Sequence, residues 1–221
     1  MNVSKKFAIG LISIAGIAAS SANADVLATL TYDDLAGGYN AGMFTASAVN
    51  NAFLRSSGNT SRLVGPGVSS ATFEPGFEGG LDPASFNLSL SVVPINGQMA
   101  SGSGTFTATD RDGDFVTGTI SGTWFYPGPG FIFFNGALSN VQLVSVVNST
   151  FDGTAGGAWD MNLPGGPVFS GALVQLVFGG ANFFQTPFAN RATGITAQIV
   201  PTPGSIALIG VAGLVGLRRR R

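Results

Sequence analysis

The chain has 221 residues, a formal net charge of −1, 33 glycines, 18 phenylalanines, no histidine and no cysteine. Without His or Cys it cannot build the usual Ser-His-Asp or Cys-His nucleophile systems, and most zinc, copper and haem ligation is lost with them. Charge is uneven: Lys5, Lys6 and Arg218–Arg221 sit at the ends, so residues 25–199 carry four arginines against eleven acids, a net −7. An acidic stretch with no lysine has no basic patch for nucleic acid.

In chain order, Met1–Ala24 reads as a secretory signal peptide. Lys5 and Lys6 make its basic start, Phe7–Ala19 its apolar middle, and Ala22-Asn23-Ala24 the small-x-small pattern that signal peptidase cuts. The mature protein is therefore expected outside the cytoplasm. Disulfides are permitted there, but the chain has no cysteine to make them.

Residues 25–199 are long enough for one domain with its own core. Their pattern is alternation with period two, not 3.6. Val26–Tyr32 is a first strand, and Ser85–Val92 alternates strictly, with Phe86, Leu88, Leu90 and Val92 on one face. Gly104–Thr109 and Phe115–Trp124 flank Asp110-Arg111-Asp112-Gly113-Asp114, a hairpin signal. Further strands are expected at Met43–Val49, Val68–Phe73, Phe131–Leu138, Val141–Val147, Gly157–Met161, Ala172–Phe178 and Thr193–Ile199. Asn40–Gly67 reads as the most loop-like part, with room for a short helix at Ala48–Leu54. Many short strands with Gly/Pro punctuation predict an all-β domain, an antiparallel β-sandwich or jelly-roll-like fold with one solvated face.

Three features inside the domain invite a functional reading. Asp110, Asp112 and Asp114 stand two apart beside Gly113, which suits Ca²⁺ oxygen ligands. The EF-hand pattern fails, with Ser121 where the twelfth-position Glu belongs, and a hairpin tip with solvated carboxylates is the favoured reading. Asp33-Asp34 and Glu74/Glu78 are the acids a glycosidase would need, though nothing in the sequence brings a pair face to face. Trp124, Phe125, Tyr126, Phe131, Phe133, Phe134, Trp159, Phe183 and Phe184 are either core or a sugar-stacking platform. Phe131-Ile132-Phe133-Phe134 must point side chains both ways, so one face of it is covered or exposed for binding.

The C-terminus carries a second tripartite signal. Pro201-Thr202-Pro203-Gly204 ends any strand before it, Ser205–Leu217 is apolar or small throughout, and Arg218, Arg219, Arg220 and Arg221 close the chain. The apolar part is a marginal transmembrane helix at roughly 20 Å. This arrangement resembles the PEP-CTERM sorting signal of exported bacterial proteins, with Thr202 where that family has Glu. The resemblance spans residues 200–221 and implies an exosortase as partner, transient anchoring in the inner membrane, and delivery to the cell surface or medium. A short tail anchor is the alternative. The resulting expectation is a non-enzymatic, surface-sorted protein of the envelope or extracellular matrix, structural or adhesive. A module binding exopolysaccharide, with or without Ca²⁺, is the alternative, and a glycoside hydrolase or lyase stands third.

Overall fold

A computed structural model describes residues 25–202, apart from 66–68, 81, 82, 129 and 181. The expected signal segment 1–24 and the apolar tail with its arginines lie outside the described residues. Among those described, no helix is long and apolar enough to cross a membrane. The domain is antiparallel β throughout, as the alternation requires. Its strands are β1 (Ala28–Asn40), β2 (Met43–Ser47), β3 (Ser57–Arg62), β4 (Ser69–Phe73), β5 (Ser85–Ser91), β6 (Val93–Asn96) and β7 (Met99–Thr109). They continue with β8 (Phe115–Phe125), β9 (Gly130–Val144), β10 (Thr150–Asp152), β11 (Ala158–Asp160), β12 (Phe169–Gly180) and β13 (Phe188–Pro201).

Where a sandwich would have two separate sheets, the ladder here is continuous and returns on itself. The order β13-β12-β9-β8-β7-β5-β2-β1 is closed by pairing of β1 with β13, from Ala28↔Ile199 to Tyr39↔Phe188. The outer half of β1, Ala28–Asp33, also pairs with β3, which leads to β4. The β3–β4 hairpin thus flares away from β5. β10 and β11 lie against it, with Phe151 6.0 Å from Phe73 and Trp159 donating to Thr60 Oγ1 at 2.9 Å.

Closure needs local bends, and bulges supply them, three of them at left-handed residues. Asp33 and Asp34 together face Gly194 on β13, Asn140 adds a residue to β9 opposite Gly118, and Asn190 does the same on β13 opposite Gly38. Asp34, Asn140 and Asn190 have φ of 54°, 52° and 55°, a left-handed conformation that Asn and Asp tolerate best among side chains with a Cβ. This is why the expected strands Phe131–Leu138 and Val141–Val147 are one strand, β9, passing through a bulge. The expected helix at Ala48–Leu54 is absent. Asn51 Oδ1 accepts the N–H of Phe53 and Leu54 at 2.8 and 2.9 Å, and Asn50 bridges to Arg55. An Asx turn claims the donors that a helix would use. β3, with the sequence Ser-Gly-Asn-Thr-Ser-Arg, lies in the segment expected to be loop; its pairing with β1 overrides weak propensity.

The interior is filled. Tyr32, Phe44, Phe73, Phe77, Phe86, Trp124, Phe134, Phe151, Trp159 and Phe178 are essentially inaccessible. Gly102, Gly122 and Gly136 stand in register across β7, β8 and β9, leaving room for the Trp124 indole and the Phe134 ring. A Cβ on Gly102 would lie 2.6 Å from Trp124 Nε1, and one on Gly122 2.2 Å from the Asn135 carbonyl. Apolar side chains point in while Ser and Thr point out, the inverse of a lipid-facing barrel. A central void of about 10 Å³ lies among Leu30, Tyr32, Phe86, Phe106, Ile120, Leu138, Ile195 and Ala197.

Candidate functional site

The aspartate turn between β7 and β8 is a clasp. Asp110 and Asp114 are both fully buried. Asp110 Oδ1 accepts the N–H groups of Asp112, Gly113 and Asp114, each at 2.9 Å, and its Oδ2 accepts that of Asp152 at 2.8 Å. Asp114 reaches the segment leading to β10, taking the N–H of Val146, of Val147 at 2.8 Å and of Asn148 at 3.4 Å. Asn148 Nδ2 donates to Asp112 Oδ2 at 3.0 Å. Burial pushes the Asp110 carboxyl above its ordinary value, with Asp114 adding to the push and the N–H donors pulling the other way.

The Asp110, Asp112 and Asp114 carboxylates therefore do not converge as a calcium cage. The two buried ones face N–H donors, Asp112 pairs with Arg111 at 3.4 Å, and no acidic cluster able to hold a metal occurs among the described residues. Asp152, Asn148 and Thr150 complete this clasp, with the Thr150 hydroxyl donating to Asp152 Oδ2 at 2.6 Å. Nothing local in the sequence announces them, since they lie some 35 to 40 residues further along the chain. The other acids are dispersed: Asp33 and Asp34 form the exposed bulge of β1, and Glu74 and Glu78 are exposed around the 3₁₀ turn Phe77–Gly79.

Two of the open clefts lie toward the ends of the barrel. One of about 740 Å³ lies where β9 and β11 end and β10 and β12 begin, with Ser145, Ser149, Thr150, Asp160 and Asn162 among Leu143, Met161, Leu163 and Phe169. Its acid is committed: Asp160 pairs with Arg62 at 3.1 Å and accepts the Asn162 N–H at 2.8 Å. The other, about 320 Å³, lies on the outer barrel face at the opposite end. It is lined by Met99, Phe125, Tyr126, Pro127 and Phe133, with the amides of Gln98 and Asn135 at its sides.

The aromatic supply divides accordingly. Trp124, Trp159, Phe134, Phe183 and Phe184 are core. In Phe131–Phe134, Ile132 and Phe134 point into the barrel, whereas Phe131 is 57% exposed and 6.2 Å from the half-buried Phe133. The register aligns Met99, Phe125, Phe133 and Val177 across β7, β8, β9 and β12.

This groove continues into a lattice of hydroxyls. Thr45, Ser89, Thr105, Thr119 and Ser139 are successive partners across β2, β5, β7, β8 and β9. Ser47, Asn87, Thr107, Thr117 and Gln142 form a second row. Cross-strand bonds hold some of these side chains, including Thr107 to Thr117 at 3.2 Å and Thr119 to Ser139 at 2.8 Å. These five strands contain no Asp, Glu, Lys or Arg. The alternating Thr were legible in the sequence, but Gln98, Met99 and Asn135 became groove residues only through register.

No protein-family model, no curated protein and no solved structure matches this chain.

Proposed function

We propose that this is an exported, surface-sorted, non-enzymatic protein whose β-barrel domain has a structural or adhesive role in the cell envelope or extracellular matrix. The observation that carries the reading is polarity along the barrel. β1 begins and β13 ends side by side, Ala28 opposite Ile199, so residues 25 and 202 leave at one end. The aromatic groove lies toward the other, eight residues along β12 from Phe169 to Val177, the partner of Phe133, or roughly 26 Å of strand. A tail held at a membrane would present the groove outward. Pro201 is the last residue of β13, opposite Phe169, and the Thr202 hydroxyl donates to the Val168 carbonyl at 2.8 Å. The Pro-Thr-Pro triplet therefore begins at the last residue of the last strand, where this reading puts the processing junction.

The non-enzymatic part is supported by a filled interior, buried carboxylates committed to main-chain donors, and no His or Cys in the chain. Mass spectrometry of the protein recovered from cells and medium tests the whole reading. A chain beginning at Asp25 and ending near Pro201–Gly204 is expected; an uncut chain confined to the cytosol overturns it.

A further inference from the structure

We infer that the charge-free outer face of β2, β5, β7, β8 and β9, together with the aromatic groove at its end, is a binding surface for a neutral polysaccharide. The inference rests on the adhesive, non-enzymatic reading above and names its ligand class and site.

The argument begins with charge. Residues 25–199 carry a net −7, yet this face has none of it. A polyanion would meet repulsion from the domain and no cation on the face to hold it. A basic partner would find its complement elsewhere, on the acidic bulge of β1. What the face offers is hydroxyls, amides and ring faces, the groups that satisfy an uncharged polyol. Sugars present one apolar ring face and an equatorial rim of hydroxyls, and the groove supplies both complements: the rings of Phe125 and Phe133 for the apolar face, and Gln98 and Asn135 for the rim.

The geometry favours an extended ligand. Thr119 and Phe125 lie six residues apart on β8, roughly 20 Å, so the hydroxyl rows and the groove form one continuous strip longer than a single sugar. The strands are locked by ladders on both sides and several hydroxyls are pre-oriented by cross-strand bonds, so little side-chain freedom is lost on binding. Phe131, left 57% exposed beside Phe133, extends the apolar floor at the cost of an unfavourable solvent contact in the free protein.

The test is affinity electrophoresis of the full chain through gels containing hydroxyethyl cellulose, dextran or alginate. Retardation by a neutral polymer and free migration through alginate is the expected result. Phe133→Ala and the more exposed change Phe131→Ala should each weaken retardation about tenfold. Ser139→Lys, on the exposed rim of the lattice, should weaken it without altering the circular dichroism spectrum. Free migration of the wild type through both neutral polymers overturns the ligand class. Retardation unchanged in all three variants overturns the site. Dimerisation abolished by Phe131→Ala, with no retardation, identifies a second copy as occupant and overturns the inference. Release of reducing ends from a retarded neutral polymer would instead sink the non-enzymatic reading and leave the binding face standing.

Discussion

Replacing Asp110 tests whether the aspartate turn clamps the barrel to the segment 146–152. The side chain is fully buried and accepts four main-chain N–H groups, three within its own turn and one from Asp152. Asp110→Asn can keep one oxygen on the turn, but its amide then faces the Asp152 N–H, donor against donor. One orphaned buried donor costs about 1–3 kcal/mol. Asp110→Ala strips all four, and about 3–5 kcal/mol is expected. For a domain of this size each kcal/mol lowers Tm by roughly 2–4 °C, so the Asn variant should melt about 4–8 °C lower for a mid-range loss. The pH dependence has a definite sign. Because burial raises the Asp110 carboxyl in the folded state, the native chain binds the proton more readily than the unfolded one. Its contribution to stability is present at low pH and is lost as pH rises through the raised value. The Asn variant lacks this dependence, so its deficit should narrow as pH climbs out of the carboxylate range. Thermal melts followed by circular dichroism across that range provide the measurement. Both variants melting within about 0.5 kcal/mol of wild type would refute the clasp.

Tyr32→Phe should leave stability unchanged or raise it by about 1 kcal/mol in urea denaturation, because the buried Tyr32 hydroxyl has no hydrogen-bond partner beside a void too small and apolar for a well-bonded water. A clear loss of stability would show that the hydroxyl is satisfied after all. Gly122→Ala should cost about 3 kcal/mol or more, since its Cβ would lie 2.2 Å from the Asn135 carbonyl in a locked ladder; an unaffected midpoint would mean that β8 and β9 separate easily. Trp159→Phe deletes the bond to Thr60 that ties β11 to β3, and about 1–3 kcal/mol is expected, read as a lower denaturation midpoint. Calcium added to the full chain should produce no heat in calorimetric titration beyond dilution, and Asp112→Ala should behave the same; saturable heat lost in that variant would restore a metal role to the turn.

The strands were legible wherever Thr or Ser alternated with large apolar residues, as in β5, β7 and β8, because one face is buried and the other wet. β3 escaped notice because Ser-Gly-Asn-Thr-Ser-Arg has no apolar alternation; Thr60 and Arg62 point inward and are satisfied by Trp159 and by the Asp160 and Val64 carbonyls. Ring closure was invisible for a different reason. Its bulges place Asp34, Asn140 and Asn190 in left-handed backbone, and each reads locally as an ordinary polar residue. The Asp110–Asp114 turn is legible as a hairpin, whereas the partners of its carboxylates are not. Those partners, Val146–Asn148 and Asp152, are donated by a distant segment. The groove was half legible. The four-residue run from Phe131 required an outward-facing aromatic, while its amide rims came from strands whose register the sequence does not state.

Pairing of the first long strand with the last has a kinetic consequence. The β1–β13 ladder joins Ala28 to Ile199, among the most sequence-distant contacts the domain contains. Loop closure over that span precedes any reward from its hydrogen bonds, which slows folding relative to a barrel built from local hairpins alone. Until β13 has been made, β1 has an open edge and the ring cannot shut. A chain threaded through a membrane from its N-terminus would thus remain unclosed during passage and lock only after residue 201 had crossed. If the chain is exported as proposed, late closure of the ring favours passage of an open chain.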